Sequence, residues 1–192
     1  MSTPTLVLLL SGPASVGKTT LRDLLLEKHG FGVVRSSSHL RELAAKHAGP
    51  TGRRDLQELG DNLDAQTDYR WVVDDVAAPA MAASPNTSMW LFDAVRKRRQ
   101  IEHFRERFGA RVFHLHLDAP EGVLRERYER RLHDKGEPLV GAYDRAVAHD
   151  NERQSRALVY VADAVVQTHP GEVDEVLAAA LAAIRRALPG AV

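Results

Sequence analysis

Nine residues near the start of the chain, Gly12-Pro-Ala-Ser-Val-Gly17-Lys18-Thr19-Thr20, carry the most specific chemistry in the sequence. They fit the spacing GxxxxGK[ST], with a short apolar run before them and a helical pattern after them. In such a segment the glycines let the backbone fold tightly around phosphate oxygens. The loop N–H groups and the helix N-terminus supply partial positive charge, and Lys18 adds a full one. Thr19 offers a hydroxyl to a magnesium ion bridging the outer phosphates. The implied ligand is a triphosphate nucleotide, ATP with Mg2+, held by Gly12, Ser15, Val16, Gly17, Lys18, Thr19 and Thr20.

A phosphate loop by itself serves kinases, switches and motors alike, so other residues must discriminate. An acid at the end of a second apolar strand is expected to help hold the metal. Two places compete, Asp93 in Met89-Trp-Leu-Phe-Asp93 and the pair Asp74 and Asp75 in Trp71-Val-Val-Asp-Asp. Trp71, Asp75 and Ala78 are spaced as on a helix, with no turn signal before them, whereas Asp93 follows the turn residues Ser84-Pro-Asn-Thr87. Thr19 and Asp93 are therefore the candidate metal-holding pair, although a plain helix N-cap would also explain Asp93. Arg96, three residues on, can face the same phosphates. His114, His116 and Asp118 share one strand face; that face could seat a metal, but packed, hydrogen-bonded histidines are the expected reading.

These groups must be positioned by a framework, and the hydrophobic pattern supplies one. Apolar runs at Leu6–Leu10, Gly32–Arg35, Ser88–Phe92, Arg111–Leu117 and Ala164–Gln167 alternate with helical patterns, which predicts an α/β fold with a five-stranded parallel sheet and helices on both faces. The first helix is expected from Gly17 or Lys18 to His29, stopped by Gly30. A second begins near His39 and is closed by Gly49 and Pro50, and Gly109 closes one from about Arg98. Pro120 suits the first turn of a helix reaching about Leu132. A last helix from Val173 to Leu188 is expected to bury Val173, Val176, Leu177, Leu181, Ile184 and Leu188. About fifty residues, 36–84, separate the second and third strands, too many for a simple crossover, and predict a helical acceptor-binding insertion. Residues 133–141 have the composition of a short mobile lid.

Composition narrows the class further. The 192 residues suggest a single domain, and with 44% hydrophobic and 27% charged side chains the chain is globular. Twenty-six basic residues balance 26 acidic ones, so nothing global favours nucleic acid or an anionic membrane. The absence of cysteine excludes disulfides and thiolate chemistry. The apolar run Leu6–Leu10 is too short to span a bilayer and lacks a basic region before it, which predicts a cytoplasmic protein.

At this level the sequence resembles the nucleoside monophosphate kinases, which include adenylate kinase and the phage-type deoxynucleoside monophosphate kinases. Asp93-Ala-Val-Arg96 is similar to the family's Asp-Gly-x-(Pro)-Arg element, whose acid holds magnesium-bound water and whose arginine grips the acceptor phosphate. Ser36-Ser-Ser-His-Leu-Arg41 resembles the acceptor-site segment, and Arg54-x-x-Gln57-x-x-Gly60 the acceptor pattern of the phage-type enzymes. Arg127-x-x-x-Arg131 is similar to the arginine pair that meets the donor nucleotide, and His149-Asp150-Asn-Glu152-Arg153 to the stretch after the lid, where Arg153 or Arg156 would close on the moving phosphoryl group. The resemblance implies a three-layer α/β/α P-loop NTPase fold and a kinase carrying the γ-phosphoryl group of ATP to a nucleotide. Lys18, Asp93, Arg96 and Arg131 would be catalytic, Arg127 would join the ATP-binding residues, and Arg41, Arg54, Gln57, Arg96 and Arg156 would bind the acceptor. Ala94 stands where glycine is usual, the proline is missing, and the lid carries no arginine, which points away from adenylate kinase proper. The acceptor stays open: a nucleoside, a coenzyme precursor or a sugar acid is the alternative, and a non-kinase nucleotide switch is a third reading. A small-molecule acceptor is the expected partner, and a homodimer is left open.

Overall fold

The computed structural model describes residues 4–46 and 51–191, apart from the side chains of Arg53 and Arg54. Five parallel strands form one sheet in the order β2-β3-β1-β4-β5, with β1 Leu6–Ser11, β2 Gly32–Val34, β3 Met89–Asp93, β4 Val112–Asp118 and β5 Ala164–Gln167. This is the expected sheet, but β1, β3 and β4 each run one residue further at the C-terminal end. The apolar pattern stops before Ser11, Asp93 and Asp118, yet their backbones still pair, Leu10 with Asp93, Ser11 with His116 and Asp118 with Gln167. The sheet thus delivers three polar side chains to the edge where ligands bind in open α/β sheets.

Both faces of β1 are buried, so its side chains divide between two cores. Leu6, Leu8 and Leu10 pack with Leu21 and Leu25 of α1 (Lys18–His29), Leu124 of α6 (Glu121–Asp134), and Leu177, Leu181 and Ile184 of α9 (Val173–Ala187). Val7 and Leu9 face the other way, onto Ile101, Phe104 and Phe108 of α5 (Arg98–Phe108) and onto Trp71, Val72 and Val76. Helices on both faces give three layers.

The segment between β2 and β3 folds as α2 (Ser36–Lys46), α3 (Arg53–Thr67), a π-helical turn (Val72–Ala77) and α4 (Ala78–Ala83). α2 begins three residues before His39, and the proposed stop at Gly49 and Pro50 lies outside the described residues. Asp74 and Asp75 sit exposed on the π turn and end no strand. Pro120 precedes rather than opens α6, which runs on to Asp134, so the first two residues of the 133–141 segment are helical and the rest form exposed turns. α7 (Ala142–Ala148) and α8 (Asp150–Ala157) follow. One burial expectation fails: Val173 is 49% exposed, because it opens α9 beside the phosphate loop instead of facing the sheet.

Candidate functional site

The loop joining β1 to α1 takes its shape from two glycines. Gly12 has φ 140°, and a Cβ there would lie 2.4 Å from the Leu117 carbonyl oxygen, so no other residue fits between β1 and β4. Gly17 adopts φ 104° and turns the chain into α1. Lys18 folds back, its Nζ donating to the carbonyls of Gly12 (2.6 Å) and Pro13 (2.7 Å). Burial lowers its pKa to about 8, and Arg96 and Arg131 push the same way. The Ser15 hydroxyl is buried with no hydrogen-bond partner among the described residues. A buried hydroxyl beside a lysine and a helix N-terminus fits a phosphate oxygen.

Asp93 ends β3, next to β1, and the chain beyond it is fastened by the Val95 N–H donating to the Leu10 carbonyl (3.1 Å). Thr19 and Asp93 both face a cavity of about 750 Å3. Their hydroxyl and carboxylate are hard oxygen donors of the kind magnesium takes alongside nucleotide phosphates, so these residues fit a Mg·ATP complex. The cavity brings together Gly12, Lys18, Thr19, Arg41, Gln57, Asp93, Arg96 and Arg131 of the expected site. It adds residues to which the sequence assigned no role of their own, among them Arg22, Arg35, Arg145 and the α8 residue Glu152. Arg22 follows Lys18 by one helical turn, a spacing that could have revealed it. Arg35 follows β2 directly at the same sheet edge.

Two recesses adjoin this cavity or the loop. One, about 480 Å3, shares Arg41, Gln57 and Arg96 with the cavity and continues over Leu40, Leu56 and Trp71. Its wall is braced by Trp71 Nε1 donating to Asp64 Oδ1 (2.8 Å), and burial holds the Asp64 carboxyl above its ordinary pKa. The other, about 290 Å3, lies on the far flank of the loop and collects Ser15, Val16, Gly17, Thr20 and Arg127. There Arg127 donates from NH1 to Thr168 Oγ1 (2.9 Å) and from NH2 to the Thr168 carbonyl (2.8 Å). This apolar-walled slot beside the loop suits a nucleotide base.

The structure does not bring Arg156 to the cavity. Its guanidinium donates to Glu121 Oε2 (2.7 Å), Glu152 Oε1 (2.9 Å) and the Tyr143 hydroxyl (3.0 Å), partners that sequence spacing could not reveal. The Arg54 side chain lies outside the described residues. Glu152 in turn accepts the Ala14 N–H (2.9 Å), and Ser155 Oγ donates to the Gly12 carbonyl (3.1 Å), so α8 is fastened to the phosphate loop. At the head of α8, His149 Nδ1 accepts the Asn151 N–H (3.2 Å). Its Nε2 stands 2.9 Å from Gln57 Nε2 on α3.

Beneath the loop, Ser11 Oγ lies 2.7 Å from His114 Nε2 and 2.8 Å from His116 Nδ1. His114 Nδ1 faces the Val161 carbonyl (3.4 Å), so its Nε2 accepts from the serine hydroxyl while His116 donates to it. Both rings are buried, and desolvation lowers each pKa to about 4. They are hydrogen-bonded core histidines. Asp118, on the same strand face, instead accepts from Gln167 Nε2 (3.2 Å).

A family model described as AAA domain matches residues 7–148. No curated protein matches the chain. Among solved structures, the fold is similar to a gluconokinase from Sinorhizobium meliloti 1021, with 15% identity over 98% of this chain and 95% of that one and a TM-score of 0.53. It is also similar to a sugar kinase from Janibacter sp. HTCC2649, with 19% identity over 94% and 95% of the two chains and a TM-score of 0.51.

Proposed function

The chain belongs to the AAA-domain family, and from that premise we propose that it is a kinase moving the γ-phosphoryl group of ATP to a small anionic acceptor. The observation that carries this reading is the charge of the central cavity. Lys18, Arg35, Arg41, Arg96, Arg131 and Arg145 line it beside Arg22, whose charge is met by Asp93 and Asp23, and its other acid, Glu152, is paired with Arg156. So much fixed positive charge in a cleft beside a phosphate loop suits two anionic substrates and the charge that spreads over a moving phosphoryl group. A switch that only hydrolyses its nucleotide has no use for a second cationic wall.

In this reading Lys18 and the loop N–H groups hold the outer phosphates, and Arg127 faces the base. Arg96 and Arg41 hold the acceptor's anionic group in line, and Arg131 reaches toward the transferring phosphoryl group from α6. Magnesium, when bound through Thr19 and Asp93, would neutralise charge on the outer phosphates. Two acceptor classes each have an observation behind them. The recess over Leu40, Leu56 and Trp71, with the Gln57 amide at its rim, suits the base of a nucleoside monophosphate. The kinases whose fold this chain shares are named for sugars and gluconate, and Asp93 at the cavity edge could take the proton of an attacking hydroxyl on a sugar acid.

Radiolabelled γ-phosphoryl transfer from ATP, screened over nucleoside monophosphates and sugar acids, tests the proposal. The expected result is label transferred to members of one class only. ATP hydrolysis at one rate whether or not either class is present would rule out the kinase reading.

A further inference from the structure

The two residues fitted for magnesium stand on different elements, Thr19 in the first turn of α1 and Asp93 at the tip of β3. Their spacing must be held if they are to act on one ion. Arg22 is placed to hold it. It follows Thr19 by three residues on the same helix, so both side chains project from one face of α1. Its NH1 donates to Asp93 Oδ2 at 2.7 Å, and both side chains are largely buried, 14% and 15% exposed, at the cavity wall. The guanidinium is oriented from its other side by Asp23, whose Oδ1 accepts from Nε (2.8 Å) and NH2 (2.7 Å). A planar guanidinium held at two edges points in one direction, and a lysine in its place would not.

We propose that Arg22 is a positioning residue, which ties one oxygen of Asp93 to the helix that carries Thr19 and leaves the other oxygen, Oδ1, turned to the metal's water or to the acceptor. This rests on the proposed function, since it assigns Asp93 to the metal and the reacting groups. Arg22 touches neither nucleotide nor acceptor in this assignment. Its effect therefore passes wholly through Asp93.

The test uses the intact protein with Arg22→Gln, Arg22→Lys, Asp93→Asn and the double variant Arg22→Gln/Asp93→Asn. Removing a group that orients a metal-holding carboxylate commonly lowers activity by about 10- to 100-fold, and that loss in kcat is expected for Arg22→Gln, with part regained in Arg22→Lys. The double variant should be no slower than Asp93→Asn alone, because the two residues act as one unit. Calorimetry of ADP binding gives a readout apart from turnover. With EDTA, ADP should bind Arg22→Gln within about twofold of wild type, whereas the tightening on adding Mg2+ should shrink by the about 10-fold or more expected of an outer-shell partner. Equal weakening with and without Mg2+ would show that Arg22 grips phosphate directly, and multiplying losses in the double variant would show that it acts independently of Asp93; either overturns the proposal. An impaired Asp93→Asn beside an unimpaired Arg22→Gln overturns this proposal alone. An unimpaired Asp93→Asn removes the assignment of Asp93, and Arg22 with it.

Discussion

On the proposed function, the donor side of the site and the acceptor side are built by different means. Around Gly12 to Thr20 the binding groups are mostly backbone, supplied by nine consecutive residues whose geometry follows from one strand, one helix and a glycine that alone fits against Leu117. Across the cavity, Arg35, Arg41, Arg96 and Arg145 present long side chains from separate stretches, and on the proposed function these would hold the acceptor. Gln57 to His149 and Lys97 to Asp150 (3.9 Å) are contacts that join the acceptor side to α8. A backbone-built site is set once the fold forms. A side-chain site keeps rotamer freedom and must be ordered by its ligand, which lets acceptor choice change while the donor loop stays fixed.

That contrast is sharpest for Lys18→Ala. Turnover should fall by about 1,000-fold, as for removal of a group that stabilises transition-state charge. The melting temperature should hardly move, since among the described residues Nζ bonds only to the loop carbonyls of Gly12 and Pro13. Phosphoryl-transfer assays and thermal melts check both halves; a small loss would mean that the donor side is not the rigid half.

Arg96→Ala should act on one side only. The expected effect is a drop of about 10- to 100-fold in kcat/KM for the acceptor, in the range of a lost charge-assisted contact, with the KM for ATP nearly unchanged. If ATP binding collapses instead, the two sides share Arg96 and the division is wrong.

The pKa of Lys18 gives the donor side a pH signature. Because burial lowers it to about 8, the ammonium is lost as pH rises through that value, and ATP affinity should weaken above pH 8 by roughly a factor of ten per unit. Binding measured from pH 7 to 9.5 with a nucleotide of fixed charge decides it. A flat profile would mean that the lysine stays charged without its ligand.

The smallest effect expected is on stability beneath the donor loop. His114 and His116 are held neutral in the fold, with pKa values of about 4 against an ordinary 6.5. Between those values the unfolded chain binds more protons, so their contribution is complete above about pH 6.5 and is lost as pH falls toward 4. Melts across that window should show a decline that His116→Gln, which can still bond Ser11, makes shallower.

What the sequence made legible follows the same division. The loop, its helix and the sheet could be read because their signals are contiguous: a motif of fixed spacing, short apolar runs, and the turn at Ser84–Thr87 that marks Asp93 as a strand end. The ends of β1, β3 and β4 were read one residue short because polarity ended the apolar pattern before the ladder ended, whereas β2 stops at Val34, one residue before the expected Arg35. Arg156 was expected at the acceptor because its charge is visible in sequence while Glu121, Glu152 and Tyr143, which absorb it, are neighbours only in space. Glu152 itself meets Ala14 across 138 residues, beyond the reach of any local pattern. Val173 kept the helical period but lost the burial, since the first residue of a helix has no turn before it to shield it.

The eight residues of α8 have a mechanical meaning that their small size conceals. One end of this rod rests, through His149, on an amide that belongs to the acceptor wall; its middle, through Glu152 and Ser155, is stitched to the mouth of the phosphate loop. A helix of two turns does not compress, so whatever draws Gln57 away from His149 also tugs at the carboxylate seated on Ala14. Along this helix the fastenings at His149 and Ser155 stand about 9 Å apart at 1.5 Å per residue.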